Sequence, residues 1–121
     1  MSDAFKDFYA GFEGEPEFLF SVDGRLRLRC WEGHLSAFLD TVLPEQGRWT
    51  GLAKAYHLDL WDDHPWQVTN NAECLAQLQQ ARMDDDVSAE GAGEANEVRL
   101  SLINLFRDAV ATGGLVIVRR D

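Results

Sequence analysis

The sequence has little of what marks an exported, a membrane-bound or a redox-active protein. No stretch approaches the roughly 20 consecutive apolar residues that a transmembrane helix requires. The only two cysteines, Cys30 and Cys74, stand far apart and without a CxxC spacing. The first residues lack both the cationic start and the apolar core of a signal peptide. We therefore expect free thiols, a cytoplasmic location and no role in a membrane.

Complete catalytic motifs are also missing. The chain contains no HExxH pattern and no glycine-rich phosphate loop, and neither cysteine has a recognisable base beside it. Four serines lack the GxSxG setting of a nucleophile: Ser21, Ser36, Ser88 and Ser101. We expect a non-enzymatic protein that needs no cofactor.

Basic residues are scarce, because 11 Lys and Arg stand against 21 Asp and Glu and leave a formal net charge of −10. A field of this sign repels nucleic-acid phosphates and attracts basic partners. Solubility alone explains the acidity of many small proteins. We expect no binding to nucleic acid, and a basic protein partner is the functional alternative to simple solubility.

The clearest local pattern is Asp23-Gly24 between the runs Glu17–Val22 and Arg25–Trp31. Both turn residues tolerate positive φ, so a two-residue type I′ hairpin is predicted. In the second run three arginines alternate with apolar residues, which predicts an arginine face and an apolar face. That arginine row could bind an anion, but pairing with the chain's own carboxylates is the simpler interpretation. The row consists of Arg25, Arg27 and Arg29, and the alternating residues are Leu26, Leu28 and Cys30.

Helical spacing and capping residues predict three helices before the last quarter of the chain. Aromatic residues at i, i+3, i+4 and i+7 predict a short amphipathic helix within residues 2–17, docked on the core. A second helix is predicted over 34–43, before Pro44, and a third from the capping pair Asn70 and Glu73 to about Met83. The aromatic residues are Phe5, Phe8, Tyr9 and Phe12.

The strongest helix is predicted to open at Asn96 and to end at Gly113 and Gly114, which permit positive φ. After it, residues 115–118 predict a buried central strand. The apolar stripe of this helix comprises Val98, Leu102, Leu105, Phe106 and Ala109, widened by Ile103 and Val110.

Residues 49–61 fit two periods. Trp49, Leu52, Ala53 and Tyr56 have helical spacing, whereas the end of the segment alternates with period two. We interpret residues 52–61 as a strand. Together these elements predict one α+β domain over residues 1–121, with a sheet of about four strands packed against two or three helices and the C-terminal strand inside the sheet.

Candidate functional residues concentrate in the stretch YHLDLWDDHPWQV, residues 56–68, which holds two histidines, two tryptophans and three carboxylates. Asp62-Asp63-His64-Pro65 predicts a turn that displays the acidic pair. Residues 84–95 contain no basic residue and predict a solvated acidic loop.

One enzymatic alternative stays open in this stretch. His57, Asp59 and His64 have the side chains of a divalent-metal site, and a strand would put His57 and Asp59 on one face. That reading predicts a small metal-dependent enzyme. A structural subunit of a larger assembly is a third possibility.

A binding module explains more of the pattern. The segments DLWDDHPW, DDDVSAEGAGE and GGLVIVRRD, in a chain of this length, resemble bacterial immunity proteins that neutralise polymorphic or contact-dependent inhibition toxins. The resemblance implies an acidic α+β protein that binds a basic toxin domain, often a nuclease. We expect acids to steer the partner and aromatic side chains to anchor it. The expected interface residues are Asp59, Trp61, Asp62, Asp63, His64, Trp66, Asp84, Asp85, Asp86 and Glu90.

Overall fold

The structure is a computed structural model that describes residues 5–9, 11–59, 65–81 and 89–121. Its strands are β1 Lys6–Phe8, β2 Glu17–Val22, β3 Arg25–Trp31, β4 Trp66–Gln67 and β5 Val116–Arg120. Its helices are α1 Glu32–Leu39, α2 Gly51–Lys54, α3 Asn71–Gln80 and α4 Ala89–Thr112, and α2 runs on into a π-helical turn, Ala55–Asp59.

The predicted α+β architecture is confirmed, and the residues that the structure describes form a sheet of five strands rather than about four. The sheet order is β1-β3-β2-β5-β4, in which β1 runs parallel to β3 and the other neighbours are antiparallel. The C-terminal strand β5 lies inside the sheet, as predicted. Both edge strands are short, which limits pairing with other chains.

The core lies between one face of this sheet and the helices. Phe18 and Phe20 from β2 meet Phe38 from α1 and Phe106 from α4, and all four side chains are fully buried. The five residues of the predicted α4 stripe are buried as well, whereas Val110 is 45% exposed and does not widen the stripe. Within the described ranges, no helix combines the length and apolarity needed to cross a bilayer.

The predicted hairpin is confirmed at its turn. Asp23 and Gly24 have φ values of 51° and 81°, as a type I′ turn requires. The backbone N–H of Asp23 donates to the Leu115 carbonyl at 2.8 Å, and the Leu115 N–H donates to Asp23 Oδ1 at 2.9 Å. The turn is thereby joined to the residue just before β5.

The predicted separation into an arginine face and an apolar face holds only in part: Leu28 and Cys30 are buried, but β3 carries a β-bulge before them. Phe20 pairs with Leu28 while the adjacent Ser21 pairs with Leu26, so Arg27 is an extra residue in the strand. A bulge breaks the alternation of side chains. Leu26 is consequently 45% exposed, and Arg27 Nη2 reaches Asp108 Oδ2 on α4 at 3.4 Å.

Internal pairing of the arginines is confirmed for two of the three. Besides the Arg27 pair, Arg29 Nε lies 2.7 Å from Glu17 Oε2, and its guanidinium stacks 4.4 Å from the centre of the Tyr9 ring. Arg29 also lies 3.9 Å from Asp7. These contacts join β1, β2 and β3 at the sheet edge.

The N-terminal helix prediction is wrong. Lys6–Phe8 forms β1, whose backbone pairs with β3, and Phe5 is 46% exposed rather than docked. The aromatic spacing matched a helix, but the neighbouring strand offered hydrogen bonds that a short isolated helix cannot match. Phe12 instead stacks on Trp31, with 4.3 Å between the ring centres.

The strand prediction for 52–61 is also wrong, because residues 51–59 are helical. Leu52, Ala53 and Tyr56 are buried, so the helical period in this ambiguous segment was the correct one. Leu60 and Trp61 lie outside the described residues.

The other helices have bounds that differ from the predicted ones by several residues. The α1 helix ends at Leu39 and α3 at Gln80, both earlier than predicted. The α4 helix begins at Ala89, so residues 89–95 are helical and not loop; residues 84–88 lie outside the described residues. Its predicted end is confirmed, since Gly113 has φ 69° and the Gly114 N–H donates to the Ala109 carbonyl at 3.0 Å.

A buried histidine joins α1 to α4. His34 is 2% exposed and lies edge-on to the rings of Phe12 and Trp31, and its Nε2 is 3.5 Å from Glu94 Oε1. Burial lowers the pKa of His34, and the Glu94 carboxylate only partly opposes that effect. The folded protein therefore holds this imidazole neutral to a lower pH than the unfolded chain does.

We expect this histidine to make folding stability depend on pH. Because the folded-state pKa is lowered, the unfolded chain takes up a proton first, and stability present above about pH 6.5 decreases as the pH falls below it. The slope should reach at most about 1.4 kcal/mol per pH unit. Urea unfolding of the parent and His34→Gln between pH 7.5 and 5.5 measures it.

The His34→Gln variant should lack this part of the slope. Glu94→Gln should extend the decrease to lower pH, because it removes the charge that raises the pKa of His34. Equal slopes for the parent and His34→Gln would show that His34 does not titrate differently in the two states.

Candidate binding groove

Two side chains of α3 hold the start of α2. Glu73 Oε1 accepts a hydrogen bond from the Gly51 N–H at 2.9 Å, and Gln77 Oε1 accepts from the Ala53 N–H at 2.9 Å. Gln77 Nε2 donates to the Thr50 carbonyl at 2.8 Å. The free backbone groups at a helix N-terminus need such partners, and here another helix supplies them.

The predicted capping pair is confirmed only in its first half. The Asn70 side chain accepts from the Glu73 N–H at 3.0 Å and caps α3. The Glu73 carboxylate does not complete the box, because it bonds Gly51. Gly51 suits this contact: its φ is 57°, and a Cβ there would lie 3.0 Å from Gln77 Oε1.

A groove of about 700 Å³ opens beside this junction. Its apolar side chains are Trp49, Leu58 and Trp66, and Leu58 is 52% exposed. Trp49 precedes α2, Leu58 lies in the π-helical turn and Trp66 comes from β4, so three elements meet there. The remaining lining residues are Gly47, Arg48, Thr50, Gly51, Lys54, Thr69, Asn70, Glu73 and Cys74.

Stacked rings fix the position of Trp49. Its ring lies 3.9 Å from that of His57 at 25°, and His57 meets the Tyr56 ring edge-on at 4.9 Å. Tyr56 belongs to the core, where burial raises its pKa to about 12. The groove wall is thus connected to the core through three successive rings.

A second, smaller groove adjoins the first. It has a volume of about 390 Å³ and shares Thr50 and Glu73 with the first groove. Val42 and Leu43 line it, and Leu43 is 79% exposed. The two grooves are therefore neighbours, and both are lined by residues of the 41–50 segment and of α3.

The predicted interface residues fall into three groups. Trp66 lines the groove and packs partly against the core. Asp59 ends the π-helical turn and Glu90 lies in the first turn of α4, and in both cases only the backbone is described. The others lie outside the described residues: Trp61, Asp62, Asp63, His64, Asp84, Asp85 and Asp86.

The geometry assumed for the metal-site alternative is wrong. Residues 57 and 59 are helical, and helical rotation does not bring residues i and i+2 to one face as a strand does. The His57 ring stacks on Trp49, and its buried Nε2 has no hydrogen-bond partner among the described residues. The described ranges contain no cluster of three or more metal-ligating side chains.

The predicted free thiols are confirmed. Cys30 and Cys74 are both buried and unpaired by disulfide. Burial raises the pKa of both thiols, that of Cys74 to about 12. Both therefore stay protonated near neutral pH, a state that disfavours nucleophilic attack.

Sequence reasoning missed four groove residues: Arg48, Trp49, Lys54 and Leu58. Lys54 and Leu58 are four residues apart and share one face of the helical segment. A strand would also put the buried Tyr56 on that face, so the strand interpretation concealed that Lys54 and Leu58 are exposed together. The helical stripe that includes Trp49 was the signal that could have revealed it.

Comparison of the chain with known protein families, with curated proteins and with solved structures found no match. The functional conclusion therefore depends on the residues and geometry of this chain.

We expect Gln77→Leu to destabilise the protein by about 1–3 kcal/mol, because it leaves the buried Ala53 N–H without its acceptor and removes one of the two donors to the Thr50 carbonyl, whose other donor is the Lys54 N–H. Gln79→Leu is the matched control, since Gln79 is exposed on the same helix, and it should change stability by less than about 0.5 kcal/mol. Denaturant unfolding measures both. Equal stabilities for the two variants would contradict the proposed role of Gln77.

Proposed function

We propose that this chain is a non-enzymatic protein that binds a basic protein partner and, in the manner of an immunity protein, neutralises a toxin. One observation carries the proposal: an exposed groove with apolar side chains is lined in part by residues of the most acidic segment of the chain. Trp49, Leu58 and Trp66 line the groove. Residues 55–98 contain ten acids and one base, a net charge of −9 in a chain of −10.

The charges outside this segment are better balanced. Several arginines of the sheet pair with nearby carboxylates, including Arg119 with Asp121 at 3.2 Å and Arg120 with Glu32 at 3.7 Å. The Arg119–Asp121 pair is exposed and contributes little to stability, but both pairs reduce the local field. The unbalanced charge of residues 55–98 is what a basic partner would meet.

The groove supplies apolar contact surface, which charge alone does not. Exposed acids mainly raise the association rate, whereas apolar side chains at the centre of an interface supply most of the affinity. Leu58 is available for such contact, and Trp49 and Trp66 are half-buried beside it. This combination supports recognition of a folded protein better than solubility alone.

The immunity-type interpretation rests on the resemblance in size, charge and acidic segments. Immunity proteins of this kind often neutralise basic nuclease toxins. The protein encoded next to this gene is therefore the first partner to test. Co-purification at low salt that is lost at about 0.5 M NaCl is the expected result, since screening weakens interactions between exposed charges.

Charges that steer the partner should affect the association rate, and side chains that anchor it should affect the dissociation rate. We expect Asp62→Asn with Asp63→Asn to slow association with the captured partner, and Leu58→Ala to speed dissociation, by roughly tenfold if Leu58 is an anchor. Leu100→Ala is the matched control, because Leu100 is 47% exposed on α4 and outside the groove. Surface plasmon resonance measures both rates.

Circular dichroism should first show that each variant is folded. If Leu58→Ala and Leu100→Ala dissociate at the same rate as the parent, the groove is not the interface. If no basic protein is captured at low salt, the proposed function is wrong.

A further inference from the structure

The groove carries two cations in a strongly acidic chain. Arg48 and Lys54 line it beside Trp49 and Leu58. Within the described part of the chain, neither cation has a carboxylate oxygen within 4.0 Å. Both residues are exposed, so their charges are available to a ligand.

The acid that lines the same groove is already engaged. Glu73 is the one carboxylate among the described lining residues, and its Oε1 accepts the Gly51 N–H. With Arg48, Lys54 and Glu73, the described lining of the main groove has a formal charge of +1, and Glu45 lines the smaller groove. A purely basic partner segment would therefore meet like charge here, although the surrounding chain attracts it.

Two adjacent grooves favour an extended polypeptide over a compact ligand. The main groove and the smaller groove share Thr50 and Glu73 and are therefore neighbours. Each has an exposed leucine, Leu58 in the main groove and Leu43 in the smaller one. An extended segment places successive side chains in neighbouring pockets, whereas a small molecule occupies a single one.

We infer that this groove binds an extended segment of the partner protein in which an Asp or Glu side chain lies beside an apolar one, an inference that rests on the proposed binding function. The carboxylate contacts Arg48 and Lys54, and the apolar side chain packs between Trp49 and Leu58. The acids of residues 55–98 attract the basic remainder of the partner. An interface with both signs of charge rejects partners that are merely basic.

A random peptide library displayed on phage tests the inference without any natural partner. Selection on the full chain should enrich peptides with Asp or Glu near an aliphatic or aromatic residue. Arg48→Gln with Lys54→Gln should weaken binding of a selected peptide by about fivefold to tenfold, because two charge contacts are lost. Arg48→Glu with Lys54→Glu should instead enrich basic peptides.

Matched control variants test whether the loss of peptide binding is specific to the groove. Arg25→Gln with Arg107→Gln removes two exposed cations outside the groove and should leave peptide binding unchanged, whereas Leu58→Ala should weaken it and Leu100→Ala should not. Circular dichroism verifies the fold of each variant.

Enrichment without acidic residues, or peptide binding that the Arg48 and Lys54 changes leave intact, would overturn the inference. Neither outcome affects capture of a basic protein at low salt, which tests the proposed function separately.

Discussion

The hydrogen bonds from Glu73 and Gln77 to the start of α2 are the contacts on which the groove depends. A helix of four residues does not persist alone, because nucleation costs more than its few hydrogen bonds return. The α3 side chains meet the N–H groups of Gly51 and Ala53 and the carbonyl of Thr50. That contact fixes where the helical segment begins, and with it the directions of the side chains that follow on the groove wall.

Stacking against the core then orders the surface. Tyr56 is buried, His57 packs edge-on to it, and Trp49 stacks on His57. An aromatic side chain held in this way loses little further conformational freedom on binding, which lowers the entropic cost of recognition. The π-helical turn places Leu58 beside these rings with half of its surface exposed, and such turns occur frequently at functional sites.

Charge is distributed unevenly over the same fold. Arg27 and Arg29 are used internally, where they bind Asp108 and Glu17 and connect strands to α4 and to each other. The segment from 55 to 98 has ten acids and a single base, so its field is not cancelled along the chain. The groove interrupts that field with two cations. In the proposed complex, the acids would attract the basic partner at long range and the two cations would discriminate between partners at short range.

The sequence by itself determined the turn of the β2–β3 hairpin, the N-cap of α3, the C-terminal end of α4, the buried α4 stripe and the central position of β5. Those features depend on local chemistry: positive φ at Asp23 and Gly24, the Asn70 side chain, and the 3.6-residue period. Only the tertiary structure decided that residues 6–8 pair as a strand, that 51–59 are helical, and that Trp49, Leu58 and Trp66 meet. Each of those outcomes depends on backbone partners or packing contacts supplied from distant positions, by β3, α3 and the core, which local patterns do not encode.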